Sequence, residues 1–310
     1  LAVVTLTGAA PHLASLAERN GGLPGPLPLF PADNWWNLDV SNAPVDANSQ
    51  AYIDWISGRD EEDPDSRQRL HPDMAAPPWG IPYIGVSGDH ALAPVTFTSY
   101  ASESDAGAPG RPAGYPIPDA ARSQPNYIEN AVAGGNTSGD RHMLIIDRDK
   151  WILYELYKAR WTGERWEAAC GAVFDLKSNE RRPEGWTSTD AAGLAVFPGL
   201  VRRDEVVAPG PITHAFRVAT RATNGYVWPA AHEAGVTPGA PPRGTRLRLK
   251  GSKDLSGYPA DVRKIFQAMK TYGLIIADNG GNTYVTGTMD PEWDNSVLNP
   301  AFQSLRASDF

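Results

Sequence analysis

The 310-residue sequence contains a single cysteine, Cys170, so the chain cannot form an internal disulfide and its cysteine content does not identify a redox compartment. No apolar run reaches the ~18 residues of a membrane span. The G-x-S-x-G, P-loop, G-x-G-x-x-G and H-E-x-x-H motifs are also missing. These absences argue against a serine or cysteine nucleophile and against a nucleotide cofactor, and we expect no cofactor.

Positive charge is scarce, with 28 basic against 36 acidic residues and a net charge of -8. The basic run at 243–250 is short, and its alternation is typical of a solvated edge strand. Nucleic-acid binding requires clustered Lys and Arg to neutralise phosphates. We therefore expect no nucleic-acid partner, and the sequence gives no information on oligomeric state.

Glycine and proline are abundant, at 30 and 28 residues, which favours a loop-rich β protein. We predict one domain over 1–310, mainly β, with an antiparallel sandwich or jelly-roll-like arrangement and long ordered loops. One helix is clear at about 259–272, where Pro259 precedes apolar residues at helical spacing and Gly273 follows. Residues 1–20 match either the remnant of a signal peptide or a first strand, and we favour export.

Residues 139–176 have the pattern of a three-stranded meander that places one carboxylate, Glu155, on an apolar face. Two-residue turns would set Glu155 opposite His142 on one neighbouring strand and opposite Ala172 on the other. A lone carboxylate on such a face is costly unless it is paired. Glu155 is therefore either an internal strut or a working group.

The working-group hypothesis has two chemical forms. In the first, Glu155 is a general acid/base tuned by His142, with Asp190 or Asp278 as the second carboxylate that glycoside hydrolysis requires. In the second, His142, Glu155 and His214 form a two-histidine, one-carboxylate metal site for an oxidoreductase or lyase. A transition metal is implied only by the second form.

Ten tryptophans are many for this length, and several lie in polar, loop-like segments. Aromatic rings in grooves stack on sugar rings, although for any single ring the pattern favours a role in fixing a loop onto the core. The predicted substrate-binding residues are Trp35, Trp36, Trp79, Trp186, His214, His232 and Trp293.

Five further segments of the sequence share one resemblance: 139–147, 171–176, 185–194, 226–232 and 272–280. Together they resemble a widespread group of exported bacterial proteins of unassigned activity. The resemblance covers most of residues 30–310, and it implies export and a single domain but no reaction and no catalytic residue.

Together these features predict a secreted carbohydrate-active enzyme, most simply a glycoside hydrolase acting on a polysaccharide or oligosaccharide. The alternative from another class is a non-catalytic glycan-binding or cell-surface module, in which the same aromatic residues bind and Glu155 is only a strut.

Overall fold

The computed structural model describes residues 17–58, 69–107, 110–281 and 283–310. Most of the predicted leader or first strand, residues 1–16, lies outside the described residues. The fold is mostly β, with 22% strand against 17% helix, and the described residues form mixed sheets without a closed barrel. None of the described helices combines the length and the apolar character needed to cross a membrane.

The strands are short, and their bounds follow in chain order. They are β1 Glu18–Arg19, β2 His71–Asp73, β3 Tyr83–Val86, β4 Val95–Phe97, β5 Met143–Asp147, β6 Ile152–Tyr157, β7 Arg160–Trp161, β8 Trp166–Ala168, β9 Cys170–Asp175, β10 Phe216–Thr220, β11 Arg246–Leu247, β12 Leu274–Asn279 and β13 Tyr284–Thr286. The helices are α1 Ser49–Ile56, α2 Arg203–Val207, α3 Ala260–Thr271 and α4 Asn295–Gln303.

The described residues form two five-stranded sheets and one three-stranded sheet. The first sheet has the order β1-β3-β5-β6-β9, the second has the order β11-β12-β10-β13-β2, and the small sheet has the order β4-β8-β7. The predicted antiparallel pairing is only partly correct, because β3–β5, β10–β12, β13–β2 and β4–β8 pair in parallel. Parallel neighbours need long crossover connections, and the connection between β10 and β12 contains α3. The sandwich itself stays a prediction.

The predicted pairing of Glu155 with His142 is wrong by two residues. Glu155 faces Leu144 across the strands, because the turn after β5 contains four residues instead of two. Its last residue, Trp151, has a positive φ of 62° and donates its N–H to the Asp147 carbonyl. A shift of two keeps every side chain on its predicted face. The predicted pairs of Glu155 with Ala172 and of Trp161 with Trp166 are confirmed.

Three buried clusters surround the sheets. The middle cluster combines inward residues of the first sheet, such as Leu144 and Leu153, with Ile275 and Ala277 of the second. Helix α3 confirms the helix predicted at 259–272, and it buries Val262, Ile265, Phe266 and Met269 against the opposite face of the second sheet. Each large sheet therefore contributes one face to the middle cluster, and polar side chains on those faces are enclosed.

Gly199 packs closely against Trp36 of the middle cluster. A Cβ atom there would lie 2.6 Å from Cη2 of Trp36 and 3.1 Å from Cβ of Arg217. We predict that Gly199→Ala lowers the free energy of unfolding by about 1–3 kcal/mol, because the packed core has no room for the methyl group. Urea denaturation measures the change. Gly251→Ala is the control, since a Cβ there meets no atom within 4 Å; equal stability of the two variants would contradict the prediction.

Candidate functional site

Glu155 is completely buried, and backbone groups satisfy its carboxylate. The N–H groups of Val196 and Phe197 each donate to it at 2.9 Å, and the Thr189 hydroxyl donates at 2.6 Å. These contacts fasten the segment before the 3-10 turn Phe197–Gly199 to the first sheet. Burial raises the pKa of Glu155 above its ordinary value, although these hydrogen bonds favour the charged form. Glu155 has no solvent-facing surface for a substrate, and its contacts are those of a strut.

His142 is also buried and bridges two segments. Its Nδ1 lies 2.8 Å from Glu129 Oε2, and its Nε2 lies 2.9 Å from the carbonyl oxygen of Thr189. Both acceptors are satisfied together when the ring carries two protons. Burial alone lowers the pKa of His142, but the charge and hydrogen bond of Glu129 raise it to about 9. His142 is thus linked to Glu155 through Thr189 instead of by direct contact.

Arg217 connects two of the predicted catalytic carboxylates. It lies on β10 with its guanidinium enclosed, and its Nη2 lies 2.9 Å from Asp190 Oδ2 and 3.4 Å from Asp278 Oδ2. Its Nη1 donates to Thr286 Oγ1 at 2.8 Å. Asp190 is buried, whereas the Asp278 side chain is 28% exposed. The structure therefore brings Asp190 and Asp278 together around one cation.

Asp73 is a further carboxylate that the sequence analysis missed. It lies on β2 as the cross-strand neighbour of Thr286, which the Arg217 guanidinium also contacts. Burial and the nearby Glu129 charge raise the pKa of Asp73 to about 6. Burial and the Asp190 charge likewise raise the pKa of Asp278 to about 6, against the opposing effect of Arg217. Asp73 and Asp278 thus flank Arg217 on opposite sides, and both titrate near pH 6.

We call Asp73, Glu129, Asp190 and Asp278 around Arg217 the carboxylate cluster. Its surroundings are partly open and aromatic: the rings of His71 and Tyr284 stack at 4.8 Å, and Tyr284 is 38% exposed. Tyr284 pairs with His71 two residues along from the Thr286–Asp73 pair. On the other side, the Tyr157 hydroxyl donates to Asp140 at 3.1 Å.

A sequence signal existed for Arg217 but not for Asp73. Arg217 lies between Phe216 and Val218 in a strand pattern, so it is a charge on an inward face like Glu155. Asp73 follows a proline in a three-residue strand, and Glu129 lies in a loop. No periodicity distinguishes either of these carboxylates from an ordinary surface acid.

The predicted sugar-binding tryptophans differ widely in exposure. Trp35 and Trp36 pack in the middle cluster. Trp293 is buried in the cluster that contains the apolar residues of α3, and its indole N–H donates to the Thr288 carbonyl. Buried rings offer no face to a sugar. Trp79 is 65% exposed, and Trp186 is half-buried beneath the Arg182 guanidinium. Trp228, which is not among the predicted sugar-binding residues, is 57% exposed.

The other two predicted histidines, His214 and His232, lie in separate environments. His214 is buried, with Nε2 2.9 Å from Glu205 and Nδ1 2.9 Å from the Ala215 carbonyl oxygen. His232 is half-buried, with Nδ1 2.9 Å from the Ala191 carbonyl oxygen. Within the described ranges, no three His, Cys, Asp or Glu side chains are grouped to hold a metal ion. The hypothetical set of His142, Glu155 and His214 is therefore not assembled.

Comparisons with protein-family models, curated proteins and solved structures found no match to this chain. The geometry described above consequently provides the basis for assigning a function.

We predict that Glu155→Gln lowers the free energy of unfolding by about 1–3 kcal/mol, because the amide group would turn an N–H towards donors that now meet oxygen. Urea denaturation measures the loss, with the exposed Glu164→Gln as the control. A variant of unchanged stability that had lost catalytic turnover would contradict the strut role.

The raised pKa of His142 predicts a pH-dependent stability. A folded pKa of about 9 against 6.5 gives stabilisation that is complete below pH 6.5 and lost as the pH rises through 9. We expect this ion pair to contribute about 3 kcal/mol at pH 6. Denaturation curves between pH 6 and 10 test this: the loss should be smaller in His142→Gln. Parallel pH dependences in the two proteins would refute it.

Proposed function

We propose that this protein is an exported carbohydrate-active enzyme, a glycoside hydrolase in which Asp278 and Asp73 perform general acid/base catalysis. The observation that carries the proposal is the position of these two partly exposed carboxylates on either side of Arg217, each with a pKa of about 6. Export is supported by the resemblance to exported bacterial proteins. The sequence offered Asp278 as one of two candidates for the second carboxylate, and here it takes the general-acid role first given to Glu155, with Asp73 as the second carboxylate.

The roles follow from the local charges. Asp190 accepts two hydrogen bonds from Arg217 and is buried, so its role is to hold the guanidinium in place. Burial and the Asp190 charge raise the pKa of Asp278, which makes only a long contact with Arg217, so Asp278 can carry a proton and donate it to a glycosidic oxygen. Asp73, on the other side of Arg217, accepts a proton from the attacking water. This division assigns the acid and base roles that glycoside hydrolysis requires of two carboxylates.

The charges around the cluster indicate the class of sugar. Asp73, Glu129, Asp140, Asp190 and Asp278 outnumber the cations Arg217 and His142, so an anionic chain would be repelled here. The exposed ring of Tyr284, stacked on His71, provides an aromatic face suited to the C–H face of a sugar. We therefore propose a substrate with neutral or amino sugars beside the scissile bond.

Replacement of either carboxylate tests the proposal. We predict that Asp278→Asn and Asp73→Asn each lower kcat/KM by about 10²–10⁴-fold, because each removes one partner in proton transfer. Reducing-end release from a panel of neutral and amino-sugar polysaccharides identifies the substrate and then measures the loss. Asp309→Asn is a matched control, since its side chain is 23% exposed and paired with Lys253 elsewhere. Full activity in both cluster variants would refute the assignment.

The same pair predicts a bell-shaped pH profile with a maximum near pH 6. Below it Asp73 becomes protonated, and above it Asp278 loses its proton, so kcat/KM falls on both sides. In the residual activity of the variants, kcat/KM of Asp278→Asn should no longer fall on the alkaline side. For Asp73→Asn it should no longer fall on the acidic side. Wild-type limbs that persist in both variants would assign the ionisations to other groups.

The glycan-binding alternative is favoured by the exposed aromatic rings of Tyr284 and Trp79. It differs in one measurable respect: a binding module retains affinity for its oligosaccharide and releases no reducing ends from any member of the panel. Affinity that survives in Asp278→Asn, together with turnover that does not, supports the enzyme.

A further inference from the structure

We infer that the protein has a second ligand site, a basic groove that binds an anionic polysaccharide. The groove has a volume of about 1280 Å³ and lies between the 40–53 segment, Val227–Pro229 and the 242–252 segment. It borders β11 and the end of α3, whereas Asp278 stands at the opposite end of β12. The inference does not depend on the hydrolase assignment.

The groove concentrates positive charge in an otherwise acidic protein. Arg246, Arg248, Lys250 and Lys270 line it, and Asp46 is its one acidic lining residue among those described. None of the four cations forms an ion pair with a described carboxylate. A chain of net charge -8 therefore presents a local positive surface here.

Backbone carbonyl groups hold these cations in place. Arg248 donates to the carbonyls of Val40 and Ala43, and Lys270 donates to those of Gly251 and Lys253 at 2.9 and 2.5 Å. Lys250 donates to the Ser308 carbonyl at 2.6 Å. Carbonyl dipoles orient a cation without cancelling its charge. The arrangement is thus a fixed set of donors whose charge remains available to an anion.

The shape and the apolar surface favour a sugar polymer over a small anion. The volume exceeds the ~300–1,000 Å³ typical of small-molecule pockets. Trp228 is 57% exposed and Val227 is 45% exposed on the wall of the groove, and an aromatic ring beside cations suits a uronate residue. Its C–H face would pack on the indole while its carboxylate meets the lysines.

Calorimetric titration with an oligogalacturonate at low ionic strength tests the inference. We expect the double variant Lys250→Gln/Lys270→Gln to bind about tenfold or more weakly, because two charge-assisted hydrogen bonds are removed. The matched control, Lys150→Gln/Lys177→Gln, changes the net charge equally but lies outside the groove, and we expect its affinity to be unchanged. Trp228→Ala should also weaken binding, and it retains all the lysines.

Several outcomes would overturn the inference. Equal weakening in both double variants would indicate non-specific attraction, and unchanged affinity in the groove variants would place the ligand elsewhere. Binding to vesicles of anionic phospholipid or to DNA, without binding to oligogalacturonate, would assign another partner. The titration is repeated on Asp278→Asn: retained affinity there separates this site from the proposed catalytic one, whether or not hydrolysis is found.

Discussion

The enclosed guanidinium of Arg217 is the constraint on which the centre of the molecule depends. A buried charge without partners is strongly unfavourable, so the chain must bring carboxylates to it. Asp190 supplies the closest contact and Asp278 the second. Removing one partner from such a pair costs more than the pair itself contributes, because the remaining charge is left buried. The position of the 186–196 segment between the sheets follows from this requirement.

Two consecutive residues, Thr189 and Asp190, then join the sheets. Asp190 binds Arg217 of the second sheet, while Thr189 donates to Glu155 and accepts from His142 on the first-sheet side. Glu129 neutralises His142, and its charge in turn raises the pKa of Asp73. The titration of the exposed carboxylates is thus set by buried ones. The fully enclosed Glu155 supports the packing of the sheets, whereas Asp73 and Asp278 are partly exposed to solvent.

The sequence predicted what depends on local pattern. The helix at 259–272, the Glu155–Ala172 pairing and the predominance of β structure are confirmed because apolar periodicity determines them. The parallel strand pairs were missed, since a crossover partner is set by tertiary packing and not by the strand's own residues. The predicted pairing of Glu155 with His142 was wrong because it assumed a two-residue turn after β5, where the structure has four residues. Asp73 was missed because only its position near Thr286 and Glu129, which are both far away in sequence, distinguishes it from an ordinary surface acid.

The groove illustrates why net charge is a weak guide to what a protein binds. Taken alone, the alternating cations at 243–250 match an ordinary solvated edge, and the chain as a whole repels anions. Folding changes this by placing backbone carbonyls beside Arg248, Lys250 and Lys270, which form no ion pair with a carboxylate of the described residues. A carboxylate would have neutralised each charge, whereas a backbone carbonyl only orients the side chain that carries it. Because the carboxylate cluster and the basic groove border opposite ends of β12, opposite potentials are separated across one protein.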